Sequence, residues 1–548
     1  MSEKLQFFVK TLEQLRVERG NWNAQWEEAA ARLMPMHVGA FTSHGLQPHN
    51  TPGLKNHQKY FDATAALANQ RFAAVMESLS TPQSGTWHRL VPSDKTLKKN
   101  RQVRQFFDDV NELLFSYRYR PAANFVGNIQ KAYVGLGAYG NGVMYVDQPE
   151  GSPGLRYRDI ALAEAYFLEN HAGVVDTMYR TWRLTARQAV QRFGADSLPQ
   201  QIVEQAQQAG RDGDQNKFEF LHVVMPREDW SPVRVDALGK RFASFYLCVT
   251  PQHAVREGGY DSFPFVVARY TQASGELYGR GPAQWVLPSI KLLDEQKKTV
   301  LKQGHRVVDP VLLAYDDGVL DGFSLRAGAI NKGGVSAEGR PLVHTLPTGN
   351  VALGDKMMEM ERQVINDAFL ITLFQILVDT PQMTATEVLE RAREKGLLIA
   401  PTAGRIQAEF LGPLIERELD LLLAQGLLPP MPAILRKSGG EYKIEYDSPM
   451  SRMQRAEKAA GFMRALDQAA NYAKMTNDLA PLDFFNFDTA MPEILDINAA
   501  PVAWTRTIDE VNAVRAQRAE QQQQQQMMQN AGGLAQAMKA VPELAKGQ

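Results

Sequence analysis

Cysteine is nearly absent: Cys248 is the only one in 548 residues. One thiol forms no disulfide framework and no cysteine-based metal site, so a reducing, cytoplasmic setting is expected. No apolar run approaches the ~18 residues that a membrane helix needs. The stretch Met1 to Lys10 is amphipathic and lacks the apolar segment and small-residue cleavage site of a signal peptide. An excess of one charge is missing too. The chain has 60 Lys and Arg against 61 Asp and Glu, a net charge of −1. Such a protein does not clamp nucleic acid over its whole surface, but it can let one pass without gripping it. Catalytic patterns are also lacking. No Ser, Cys or Thr nucleophile sits in an elbow or triad pattern, and no Walker lysine follows a glycine loop. The carboxylate pairs Asp108-Asp109, Asp316-Asp317 and Glu27-Glu28 are adjacent in sequence. Neighbours on a helix cannot face one point, and most of these read as solvated surface. His44, His49 and His57 have no Cys, Asp or Glu at ligand spacing, so no metal site and no cofactor are expected.

What remains is an ordinary globular composition, 44% hydrophobic and 22% charged. The length exceeds one core, so several domains or an elongated subunit are expected. Residues 1 to about 140 read as helical. Leu5, Phe8, Leu12 and Leu15 form a stripe, Trp22 and Trp26 follow, and helical patterns return at Ala63–Leu79, Lys98–Tyr117 and Pro121–Ala138. From Gly142 to Tyr270 the signals are β: Val143–Val146, Thr177–Leu184, Phe218–Val224, Phe242–Val249 and Phe263–Arg269. A helical pair over Thr185–Gln208, with Thr185 as N-cap, interrupts them. Strands followed by a return to helices give an α+β class.

Gly135-Leu136-Gly137-Ala138-Tyr139-Gly140 matches the dinucleotide fingerprint, but a true fingerprint follows a strand and opens a helix. Here a helix precedes and a strand follows, so a glycine C-cap and tight turn are expected. This run is the only support for a multidomain hydrolase or nucleotide-dependent enzyme.

The chain is organised around Gly275 to Thr380. Gly275-Glu276-Leu277-Tyr278-Gly279-Arg280-Gly281-Pro282 leads into a long helix. Val286, Ile290, Leu293, Val300 and Leu301 lie on one face; Gln284, Lys291, Glu295, Lys298 and Lys302 lie opposite. An insert over about Val307–Asn350 carries Asp317-Gly318, Asp321-Gly322 and Gly333-Gly334, which are turn signals between short apolar runs. A second long helix is expected from Asp355 to Val378, apolar almost all round after Ala368. So small an insert buries little core alone and should need neighbouring copies. Further on, Thr384-Ala385-Thr386-Glu387 has the form of a capping box. The helix it starts is disturbed over Gly396–Gly404 and at Gly412-Pro413. A strand pair over Ala433–Tyr446, a helix from Ser448-Pro449 to Met475 and a helix over Val511–Gln526 complete the reading.

The Gly-Glu-x-Tyr-Gly-Arg motif and the order of elements over roughly residues 1–530 resemble portal proteins, and most closely the head-to-tail connectors of short-tailed phages. The resemblance implies an α+β portal fold. A wing would cover 1–274, the first stem helix 275–305, a β-rich clip 306–352, and the second stem helix 353–378. A tunnel loop would follow at 379–384, a kinked helix at 385–428, and a crown with a helical barrel segment at 429–548. It implies a non-enzymatic ring, usually of twelve subunits, at one capsid vertex of the virion, assembled in the bacterial host cytoplasm. Its channel would conduct double-stranded DNA without sequence preference during packaging and ejection. Implied partners are the terminase motor, tail adaptor proteins at the clip, and capsid and scaffold proteins; no membrane is implied. Another structural virion protein, such as a tail-tube or capsid component, is the alternative within the same class. The tunnel loop maps to Asp379, Thr380, Pro381, Gln382 and Met383, which carry no Lys or Arg. Lys291, Glu295, Lys298 and Lys302 fall in one arc that faces either the channel or outer solvent.

Overall fold

The structure, a computed structural model, describes residues 2–42, 60–83, 85–94, 96–149, 151–207, 217–231, 233–234, 236–314, 324–347, 351–372, 401–446, 449–476, 480–497, 506 and 510–521. Two compact units divide the chain. One comprises Met1–Gly85 with Leu114–Leu427, the other Thr86–Leu113 with Leu428–Gln548. The helices are α1 (Ser2–Glu18), α2 (Gly20–Leu33), α3 (Thr64–Ser80), α4 (Arg101–Arg118), α5 (Phe125–Tyr139), α6 (Ala186–Phe193), α7 (Gln200–Gln207), α8 (Pro282–Val308), α9 (Val351–Ala368), α10 (Gly412–Ala424), α11 (Ala433–Lys437), α12 (Pro449–Thr476) and α13 (Phe487–Ile497). The strands are β1 (His88–Pro92), β2 (Asn141–Asp147), β3 (Arg156–Asp159), β4 (Ala165–Glu169), β5 (Val175–Thr185), β6 (Lys217–Pro226), β7 (Phe242–Cys248), β8 (His253–Tyr260), β9 (Phe265–Arg269), β10 (Leu312–Ala314), β11 (Val343–Thr345) and β12 (Tyr442–Tyr446). The fold is therefore mixed helix and sheet, as the α+β expectation requires.

In the first unit, β4 to β8 form an antiparallel sheet in sequence order. Alternation along a strand sends successive side chains to opposite faces. Leu221 and Val223 of β6, with Tyr179 and Leu247, pack under the Leu5, Phe8, Leu12 and Leu15 stripe of α1. Phe220 and Trp182 point the other way, to Ala186 and Ala189 of α6 and Ile202 of α7. The expected N-cap holds: Thr185 accepts from the backbone N–H of Gln188, and the Gln188 side chain returns a bond to the Thr185 N–H. A second sheet, β3-β2-β9, meets α2 and the β4–β5 end in an aromatic core around Trp26, Phe41, Phe167 and Tyr278.

Several expectations need correction. Glu27 is not a solvated carboxylate. It accepts the backbone N–H groups of Gly39 and Phe41, which closes the turn after α2. The apolar face of α8 is buried only between Pro282 and Asp294; Leu301, on the same angular face, is exposed. The helix α9 begins earlier than expected and is interrupted by a turn after Ala368; residues 371–372 are helical again, and residues 373–378 of the expected helix lie outside the described residues. Phe369 turns into the core against Phe72, and Leu370 takes a left-handed φ of 61°. Residues 373–400, with the Thr384–Glu387 capping pattern, lie outside the described residues, as do the Asp-Gly pairs of the insert and His44, His49 and His57.

The second unit holds the largest departure. Residues 433–446 do not form a strand pair. Ala433–Lys437 is helical after Pro432, and a turn follows at Gly439 and Gly440, with φ of 87° and 69°. The single strand β12 pairs antiparallel with β1, Leu90 facing Ile444. The segment 86–113 thus groups with residues from 428 onward rather than with the N-terminal helices.

Candidate functional site

The hairpin α8–β10–β11–α9 grows from a joint made by two glycine runs that the sequence presents separately. Gly140 caps α5 with φ of 74°, and the chain turns at once into β2. A Cβ at Gly140 would lie 2.5 Å from the Gly279 carbonyl oxygen. One at Gly279 would lie 2.6 Å from the Gly140 oxygen, and one at Gly281 would lie 2.6 Å from the Leu136 oxygen. Asn141 stitches the runs: its Nδ2 donates to the Gly279 oxygen at 3.0 Å, and its Oδ1 accepts from Gly279 N–H at 2.8 Å. These glycines let two backbones touch. The space a nucleotide would need at Gly135–Gly140 is filled by residues 279–281.

The rest of the Gly-Glu-x-Tyr-Gly-Arg motif is also structural. Tyr278 is buried among Trp22, Trp26 and Phe167. Glu276 and Arg280 form a two-bond ion pair at 2.5 and 2.8 Å, with the guanidinium 4.9 Å from the Trp22 ring. Pro282 opens α8, whose first turn closes through Gln284 Oε1 accepting from Gly281 N–H at 2.5 Å.

Two charged clusters fix this root. Arg269, buried at the end of β9, donates to Glu169 and Glu409 at 2.8 Å each, and to the carbonyls of Leu277 and Gly173. It ties the sheet, the entry to α8 and the π-helical turn Gln407–Leu411 before α10 to one group. Asp294, buried in the otherwise apolar face of α8, accepts the backbone N–H groups of Phe61 and Asp62 at 3.0 and 3.1 Å. Asp62 in turn receives Thr64 at the start of α3 and Arg362 of α9, the latter at 2.9 Å. Residues 61–62 thereby staple both hairpin helices. Burial pushes the Asp294 carboxyl up, against those two backbone bonds. At Asp62 burial acts the same way but is outweighed by hydrogen bonds from Thr64 and Arg362, so its pKa is lowered. Elsewhere in the first unit, Arg118 and Glu418 of α10 form a fully buried pair, with the Tyr157 hydroxyl donating to Glu418 at 2.6 Å.

The far end contrasts. Between Glu295 and Pro347 no described residue is buried. β10 and β11 pair over three residues each, Leu313 facing His344, and a lone bridge joins Val335 to Pro341.

A family profile described as bacteriophage head to tail connecting protein matches residues 7–504. The chain belongs to this family. It is 27% identical over 456 residues to the "Probable portal protein" of Bordetella phage BPP-1, which covers 81% of this chain and 78% of that protein. It is 24% identical over 545 residues to the "Portal protein" of Salmonella phage epsilon15, covering 98% and 95%. The resemblance to portal proteins read from the motif and element order is borne out, and the head-to-tail connecting proteins are structural rather than catalytic.

In this connecting protein the four residues of the predicted polar arc divide. Lys291 pairs with Glu28 of α2 in the same chain, at the root. Glu295 and Lys298 pair loosely at 3.5 Å, and the Lys298 ammonium lies 5.9 Å from the Phe61 ring. Lys302 is exposed one turn further on. Asp379, Thr380, Pro381, Gln382 and Met383 lie outside the described residues. Sequence reasoning missed Arg269, Asp294, Asp62 and Arg362. Two left a trace: Asp294 is a carboxylate on an apolar helix face, and Arg269 ends an apolar strand. Charges placed in such patterns are retained when buried partners satisfy them.

Proposed function

We propose that this chain is the subunit of a portal ring that joins head to tail at one capsid vertex. It conducts double-stranded DNA during packaging and ejection. The match across residues 7–504 to the head-to-tail connecting family carries the reading. The hairpin supports it physically, because a root this fixed and a tip this exposed suit an element completed by neighbouring copies. In this reading the wing spans 1–274, the stem 275–305 and 353–378 around a clip at 306–352, and the crown 429–548. The tunnel loop 379–384 and the kinked helix 385–428 lie between stem and crown. The ring has about twelve subunits. Partners are the terminase motor, tail adaptors at the clip, and capsid and scaffold proteins, with assembly in the host cytoplasm.

A channel that lets a polyanion slide must not neutralise many phosphates, since each adds counterion-release affinity. Lys298 and Lys302, beside Glu295, supply weak and screened guidance of that kind, whereas Lys291 is engaged by Glu28. Residues 379–383, free of basic side chains, narrow the channel sterically: deleting Pro381–Met383 is expected to spare the ring and impair retention of packaged DNA. The defining experiment is light scattering of the purified protein, expected to give a ring mass. A stable monomer at micromolar concentration overturns the reading. Lys298→Glu with Lys302→Glu should leave that mass unchanged and slow packaging, more so at low salt, where the Debye length is longer. Unchanged packaging at both salt concentrations removes these lysines from the channel wall.

A further inference from the structure

The helix α9 carries a second apolar face that the described residues of its own chain leave uncovered. Met358 and Ile365 are buried, and α9 packs on α8 closely enough that a Cβ at Gly354 would meet Val300. Away from that side stand Leu353, Met357, Met360 and Val364, exposed by 60, 48, 67 and 46%. Their spacing is i, i+4, i+7, i+11, the alternating four-and-three step of a coiled-coil seam. At ~1.5 Å per residue the seam runs roughly 16 Å. Singly exposed apolar residues need no account, but four in register on one helix mark a packing surface. α8 offers a different exposed face. Trp285 and Leu292, seven residues apart and 52 and 48% exposed, share one side of it.

Charge separates the two helices. In α8, Lys291, Lys297, Lys298, Lys302 and Arg306 outnumber Asp294 and Glu295, five to two. In α9, Asp355, Glu359, Glu361 and Asp367 outnumber Lys356 and Arg362, four to two. Like helices would repel, so α9 meeting α9 is disfavoured, while α8 meeting α9 is favoured. The chain's own α8 is already spent on the Met358–Ile365 side.

We propose that the Leu353–Met357–Met360–Val364 seam of α9 receives the Trp285–Leu292 face of α8 from a second copy of this chain. Such a contact joins two different patches and therefore propagates from copy to copy; it closes when the rotation closes. The proposal rests on the ring reading and names the surface that builds the ring. One seam buries far less than the ~1,200 Å² of a stable interface. It therefore acts with the other contacts of the ring, and every subunit uses it twice.

The test uses two full-length variants, Met357→Glu/Met360→Glu and Trp285→Glu/Leu292→Glu, with thermal melts to confirm folding. Each alone is expected to lose the ring and sediment as monomer. Their equimolar mixture retains one good α9 face and one good α8 face, and native mass spectrometry should show a 1:1 pair. A ring from either variant alone, or a mixture without the pair, overturns the proposal. If a Glu variant fails to fold, the Gln versions are read the same way. A monomeric wild type would instead sink the ring reading itself.

Discussion

At Pro282 the helix α8 starts against backbone so close that a methyl group on Gly281 has no room; at Val308, 26 residues later, it ends with no buried neighbour nearby among the described residues. One helix thus spans two regimes. Its root is specified by steric exclusion and buried charge inside one chain. Its tip is exposed and is held by few contacts of its own. The same kind of residue consequently has opposite value at the two ends, and substitution measures the difference.

The largest expected effect is at the joint. Gly140→Ala puts a side chain into a left-handed position, at about 1–2 kcal/mol, and against the backbone of residues 279–281. The expected outcome is loss of more than about 3 kcal/mol or of soluble protein, read from urea unfolding. A midpoint equal to wild type would show that the joint has room for a side chain after all. Next is the buried pair. Glu418→Gln leaves Arg118 buried without its countercharge and should cost about 3 kcal/mol. At the tip, Glu338 and Arg340 are also paired, at 3.7 Å and in solvent. Glu338→Gln there should change stability by less than about 0.5 kcal/mol.

The staple responds to acid. Because the folded Asp62 carboxyl titrates below its ordinary value of 3.8, its contribution is complete above that pH and is lost as pH falls through the lower folded value. Asp62→Asn should therefore cost about 1 kcal/mol at neutral pH, and the gap to wild type should narrow in acid. A gap that widens in acid would show that the Arg362 bond does not set it. One modest effect has the opposite sign. Gly304 lies in the exposed half of α8, and a Cβ there meets nothing within 4 Å. Gly304→Ala should stabilise by about 0.5–1 kcal/mol, visible as a small rise in thermal midpoint.

Strands that alternate or run apolar were legible, and so was the Thr185 cap, because their signals are local. The partners of those strands were not. Nothing in Tyr442–Tyr446 says that it pairs with His88–Pro92 rather than with residues just before it. The glycine runs show the same limit. Gly135–Gly140 read correctly as a C-cap, but its meeting with Gly279–Gly281 is a tertiary fact with no local signal. At the candidate site the hairpin and its order were readable, whereas the charges that hold it were hidden. Lys291 looked equivalent to Lys298 and Lys302 by angle, and only the position of Glu28 separates them.

The pairing of β1 with β12 also sets a schedule. Leu90 and Ile444 are joined across a chain interval that a ribosome needs on the order of 20–70 s to traverse. The first unit is complete by Leu427, so it can fold while the rest is still being made. The second unit cannot, because its first strand waits for its last. Every newly made subunit should therefore pass through a state with a finished first unit and an open β1 edge. A truncation after Leu427 would capture that state. It should give the first unit folded and residues 86–113 open to protease, a species that limited proteolysis would tell apart from the full-length chain.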